Sequence, residues 1–157
     1  MKIVFQFLII GFIASGSITG CNQPSTIKDG KTDLAIAGTW RLLSGTLIEK
    51  GDTTVTDYTK GISMIKILND THFAFVNHDL NHGKDSTASF SAGGGTFKLE
   101  GDTYTEFLEY CSAREWEGNE FKFNVEIRND TLIQKGVEKI DGIGVERLNI
   151  EVYQRVQ

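Results

Sequence analysis

From Gly38 to the C-terminus, apolar and polar positions alternate with a period of two, not 3.6. Phe121, Phe123, Val125 and Ile127 alternate with Lys122, Asn124, Glu126 and Arg128. Leu148, Ile150 and Val152 alternate with Arg147, Asn149, Glu151 and Tyr153, and Phe97 and Leu99 with Lys98 and Glu100. Successive side chains of a strand point to opposite faces, so these segments predict strands. Trp40, Leu42 and Ile48 are assigned to one face of a first strand. No window from 38 to 157 carries a long amphipathic helical pattern, although Leu34 to Ala37 has room for one helical turn.

The breaks between these segments repeat. Gly51-Asp52-Thr53, Asn69-Asp70-Thr71, Gly101-Asp102-Thr103 and Asn129-Asp130-Thr131 each join a residue tolerant of positive φ to an Asp that bonds its own backbone. A β-branched strand starter follows in each. The pattern predicts strands near 39–48, 53–58, 62–68, 72–78, 87–92, 95–100, 103–111, 120–128, 131–137 and 145–156. Short strands joined by tight turns form an antiparallel meander. A long meander must hide its edges, and closure into a barrel removes them. The expected fold is all-β: an antiparallel up-and-down β-barrel of about 8–10 strands, a size that leaves room for one small ligand.

The N-terminus follows other rules. Met1-Lys2 precedes an apolar run from Ile3 to Ala14, then small residues, then Cys21. This is the layout of a secretory signal, and the run is too short to span a bilayer. The ending Ile18-Thr19-Gly20-Cys21 resembles the lipobox of bacterial lipoproteins, which implies cleavage before Cys21 and lipidation of its thiol. Acyl chains contribute about 0.8 kcal/mol per buried CH2, so several of them anchor a protein durably. The expected organisation is a signal peptide over 1–20, a lipidated Cys and tether over 21–37, and a barrel domain over 38–157. The expected location is the bacterial cell envelope, with Asn22 favouring the outer membrane.

Composition narrows the function. The net charge is −5, from 16 Lys+Arg against 21 Asp+Glu. That opposes nucleic-acid binding, which needs a basic stripe. Only two cysteines are present. With Cys21 acylated, Cys111 is left single and is read as a small buried hydrophobe. The single proline, Pro24, falls in the tether.

Gly38-Thr39-Trp40 opens the first strand and Tyr153-Gln154-Arg155 ends the last. This resembles the lipocalin signature, in which Gly-x-Trp begins strand one and an Arg from the last strand covers the Trp ring. The resemblance makes Gly38, Trp40 and Arg155 the barrel-closure residues. A cation over an indole contributes about 0.5–2 kcal/mol. The chain is also similar to the uncharacterised lipocalin-like domain family of Bacteroidetes envelope lipoproteins. The similar pieces are Gly38 to Leu42, Thr71-His72-Phe73, Gly93 to Phe97 and Gly101 to Glu106. The chain departs by carrying Tyr153 where Trp often precedes the terminal Arg. That family implies fold and location, but neither a ligand nor catalytic residues.

Candidate chemistry is sparse. His72, His78, Asp79 and His82 are close in sequence, but His72 and His78 lie about 20 Å apart on an extended strand, too far for one metal. No metal or cofactor is expected. Gly93-Gly94-Gly95 precedes a strand and lacks a Gly-Lys-Ser/Thr, so it is no phosphate loop; it lets a strand bend or another chain approach. No nucleophile–base pair stands out, and the protein is expected not to be an enzyme. On 103–111, Tyr104, Glu106, Leu108 and Tyr110 share one face, and Phe107, Glu109 and Cys111 the other. If the first face points inward, Tyr104, Glu106 and Tyr110 are the candidate ligand contacts.

The expected function is a membrane-anchored lipoprotein whose barrel binds a small, largely apolar molecule. The alternative is a non-catalytic interaction or structural lipoprotein with a barrel filled by side chains. A cavity of roughly 300 Å³ or more separates the first from the second. Partners beyond the membrane and a small molecule, and the oligomeric state, are not legible.

Overall fold

A computed structural model of the chain describes residues 35–157. The expected signal peptide, Cys21 and most of the expected tether lie outside the described residues. Nine strands follow in order: β1 Gly38–Glu49, β2 Asp52–Asp57, β3 Ile62–Leu68, β4 His72–Asp79, β5 Phe90–Glu100, β6 Thr103–Cys111, β7 Asn119–Arg128, β8 Thr131–Ile140 and β9 Val145–Arg155. All pairings are antiparallel, and β9 returns to β1. Eight strands form a closed barrel and β2 is the extra one; the barrel is the one the pattern predicts, and it is consistent with the lipocalin-like fold that the resemblance implies.

The extra strand comes from a switch of neighbours. The first half of β1 pairs with β3 through Gly38 to Arg41, and the second half with β2 through Ser44 to Glu49. Between them Leu43 is an added residue, because Leu42 opposes Tyr153 while Ser44 opposes Val152. Such a bulge reverses which side chains face inward. Gly45 and Leu47 therefore line the interior. Ile48, expected on the face of Trp40 and Leu42, falls on the opposite one.

The two predicted strands at 87–92 and 95–100 are one strand, β5, running through the glycine triplet. Close approach explains the triplet. A methyl group on Gly94 would sit 2.6 Å from the Phe73 carbonyl oxygen, and one on Gly95 1.9 Å from that of Phe107. Residues 35–37 form no helical turn. Two short 3-10 turns, Arg114–Trp116 and Asp141–Ile143, interrupt loops that the alternation left blank.

The barrel's two ends differ. At one end the strands are joined by the tight turns 69–71, 101–102 and 129–130. Gly101 and Asn129 have positive φ there, and Asn69 Oδ1 accepts from the backbone N–H of Thr71 and His72. At the other end lie the longer loops 80–89 and 112–118. The fully buried side chains Trp40, Tyr104, Tyr153, Leu42 and Leu132 gather toward the tight-turn end.

Candidate functional site

The closed end is built around Trp40, which has no exposed surface. Its indole N–H donates to the Ile36 carbonyl at 2.8 Å. Arg155, paired with Trp40 across β1 and β9, places its guanidinium carbon 4.0 Å from the indole centroid. The same guanidinium donates to the carbonyls of Ala37 at 2.9 Å and Ala35 at 2.6 Å. Gly38 has φ +139, and a methyl group there would lie 2.6 Å from Arg155 Nη1. The Gly of the Gly-x-Trp triplet thus makes room for the cation that covers the Trp.

Above this plug the interior opens into a cavity of about 310 Å³. Its apolar wall includes Leu47, Met64, Phe75, Leu108, Trp116 and Phe121. Its floor is polar. Lys66 Nζ donates to Glu106 Oε1 at 2.7 Å and to Gln134 Oε1 at 2.9 Å. Gln134 Nε2 donates to Glu151 Oε2 at 3.1 Å, which also accepts from the Tyr153 hydroxyl at 2.8 Å. Three rings surround the ammonium, with the centroids of Phe73, Tyr104 and Tyr153 at 5.8, 5.7 and 5.4 Å. Higher in the cavity, Arg147 Nε donates to Glu138 Oε2 at 2.6 Å and its guanidinium lies over Trp116, 4.9 Å from the centroid. Asn149 Nδ2 donates to Glu138 Oε1 at 2.8 Å.

The charges on the floor respond to burial and to one another. Burial alone would push Lys66 down, but the Glu106 and Glu151 carboxylates reverse this and hold it above the usual lysine range. Burial pushes Glu106 up, and the ammonium of Lys66 only partly offsets it. Burial also raises Tyr104 and Tyr153, helped by nearby carboxylates. The side chains of Lys66 and Glu106 are 4% and 9% exposed. At such depth an ion pair survives only with good geometry and further hydrogen bonds. The contacts to Gln134 and the three rings supply these for Lys66.

The structure brings Tyr104 and Glu106 inward and turns Tyr110 outward. Tyr104 has no exposed surface and Glu106 lines the cavity, whereas Tyr110 is 69% exposed. The cause is a second bulge. Gly94 opposes Tyr110 and Gly95 opposes Leu108, which leaves Glu109 as the added residue. Glu109 accepts on the outside from Thr96 N–H and Oγ1. Past the bulge the facing inverts, so Cys111 lines the cavity in place of Tyr110. Tyr104 lies at the floor with its hydroxyl buried and without a hydrogen-bond partner.

Sequence reasoning missed Lys66, Gln134, Glu138, Arg147, Asn149 and Glu151. On β9 the alternation holds, but the polar set points in and Leu148, Ile150 and Val152 point out. On β3, likewise, Lys66 is buried between Ile65 and Ile67, and Ile67 is exposed. A period of two shows that a segment is a strand but does not say which face is inside when the interior is polar. The faint signal was the match of polar positions on adjacent strands: Gln134 opposes Glu151, and Glu138 opposes Arg147.

The histidines lie elsewhere. His72 and His78 are exposed on the outer face of β4, and His82 sits in loop 80–89 with φ +59. Asp79 closes that loop by accepting from Gly83 N–H at 2.9 Å and Ser89 N–H at 3.1 Å, which holds its carboxyl below the usual range. Among the described residues no group of three or more His, Cys, Asp or Glu is placed to hold one metal ion. Compared with known proteins, the chain matches no family model, and no curated protein matches it significantly.

Proposed function

We propose that this protein is a lipid-anchored carrier or receptor of the bacterial envelope whose barrel binds a small, largely apolar molecule. Binding works by burial, without chemistry on the ligand. The carrying observation is the cavity of about 310 Å³, walled by Met64, Phe75, Trp116 and Phe121 and entered from the long-loop end. Its volume reaches the range of small-molecule sites, and its mixture of apolar walls with a few fixed polar groups suits one oriented ligand. The anchor is Cys21, with residues 22–37 as its tether. The reading includes kinship with lipocalin-like envelope lipoproteins and an outer-membrane location.

A second reading, an interaction module, draws on Phe90 and Tyr110, which are 68% and 69% exposed on the outer wall. Two experiments test the proposal. A thermal-shift screen of the soluble domain against lipids and small aromatics should give saturable stabilisation by at least one class. No shift across the panel favours the interaction module. For the anchor, Cys21→Ser should abolish metabolic labelling by palmitate, and persistent labelling refutes it.

A further inference from the structure

The cavity's charges do not balance. Five charged side chains line it: Lys66, Arg147, Glu106, Glu138 and Glu151. Four pair off, Lys66 with Glu106 at 2.7 Å and Arg147 with Glu138 at 2.6 Å. Glu151 is left over. It receives hydrogen bonds only from neutral groups, Gln134 Nε2 and the Tyr153 hydroxyl, both on Oε2. None of the ion pairs among the described residues includes it. Only one member of this set can be compensated by a ligand without breaking an existing pair. Elsewhere on the cavity lining, Asn77 Oδ1 is buried without a hydrogen-bond partner. The Tyr104 hydroxyl at the floor is unpartnered as well, but the one charge without an opposite charge beside it is negative, so what the site lacks is a positive charge.

We infer that the ligand is an organic cation, an amine on an apolar or aromatic body, with its ammonium seated against Glu151 and its body against Trp116, Phe75 and Met64. This rests on the binding role proposed above and specifies the ligand's chemistry. An anionic ligand would have to draw Lys66 or Arg147 from its carboxylate. A purely apolar one would bury the Glu151 carboxylate further with no compensating charge. The surrounding groups feel the surplus negative charge. Burial is the first cause of the raised pKa values of Tyr58, Tyr104, Glu106 and Tyr153, and the charge of Glu151 adds to each. An ammonium in a pocket walled by aromatic rings also gains attraction from their faces.

The test uses three probes of one shape: 4-phenylbutylamine, 4-phenylbutanol and 4-phenylbutanoate. Binding to the domain is followed by calorimetry and by the fluorescence of Trp116, with Trp40 sealed in the closed end. The amine should bind at least tenfold more tightly than the alcohol at neutral pH, with the carboxylate weakest. Glu151→Gln keeps the shape and an acceptor for Tyr153, and should abolish the preference for amine over alcohol. The exposed substitution Glu120→Gln should leave it unchanged. Equal or tighter binding of the alcohol or the carboxylate by the unsubstituted protein overturns the inference while leaving a binding barrel intact. This comparison holds even if Glu151→Gln fails to fold. Binding of none of the three overturns the inference and the binding role together.

Discussion

The two ends of this barrel are built from the same strands and do opposite things. At the tight-turn end, Trp40, Leu42, Leu132 and Tyr153 have at most 1% of their surface exposed, and Arg155 clamps residues 35–37 over them. At the long-loop end, the same strands carry Arg147, Glu138, Asn149 and Glu151 inward around open space. The floor of the cavity, Lys66 with Glu106 and Gln134, marks the boundary. Stability is thus concentrated at one end, where burial is complete. The other end holds polar groups in fixed positions at some expense to packing, the usual arrangement for a site on a rigid scaffold.

The largest expected effect lies in the plug. Trp40→Ala should lose about 3–5 kcal/mol, measured by urea denaturation, because it empties a sealed site and frees the Arg155 cation. Met64→Ala, on the half-buried cavity wall, should lose clearly less. Equal losses would mean that the two ends do not differ in this way.

Next comes the boundary. Lys66→Met leaves Glu106 buried without its partner and should also lose about 3–5 kcal/mol. The pair Lys66→Met with Glu106→Leu should recover most of that, since two apolar side chains leave no charge to compensate. A double substitution as unstable as the single one would show that the ion pair itself holds the floor together.

The same groups set an alkaline limit. Lys66, Tyr104 and Tyr153 are all raised in the folded state, so folding holds protons that the unfolded chain releases near pH 10. Their contribution is full below that pH and is lost as pH rises beyond it. The urea midpoint should fall steadily above about pH 10, and tyrosinate absorbance from Tyr104 and Tyr153 should rise only with unfolding. Early, non-cooperative ionisation of all tyrosines would contradict the sealed floor.

Smaller effects follow. Arg155→Gln should lose about 1–2 kcal/mol, from the cation–indole contact and the two carbonyl bonds. Tyr110→Ser, on the outer wall, should stay within about 0.5 kcal/mol and leave any cavity binding unchanged.

How much of this was legible in the sequence varies by element, for physical reasons. β7 reads directly, because Phe121, Phe123 and Val125 are buried and their neighbours are not. The turns read directly too, since Asn-Asp and Gly-Asp pairs encode backbone geometry locally. Gly38, Trp40 and Arg155 were legible only through the resemblance to the lipocalin signature; in the structure they meet across the first and last strands. The cavity was mostly hidden. Its floor is polar, so β9 shows the correct period with the opposite facing, and β3 turns Lys66 inward between Met64 and Leu68. The bulges at Leu43 and Glu109 add single residues whose effect, seen at Ile48 and Tyr110, depends on the partner strand. Only Gly95, too close to Phe107 for any side chain, hinted at the second bulge.

The account rests on the long-loop end being a working cavity, not merely an incompletely packed one. The most direct measurement is native mass spectrometry of the domain purified from its own envelope, beside a Ser91→Trp variant that fills the mouth. The account predicts a co-purifying small molecule on the unsubstituted domain and none on the variant. A bare mass for both, or the same adduct on both, would contradict it.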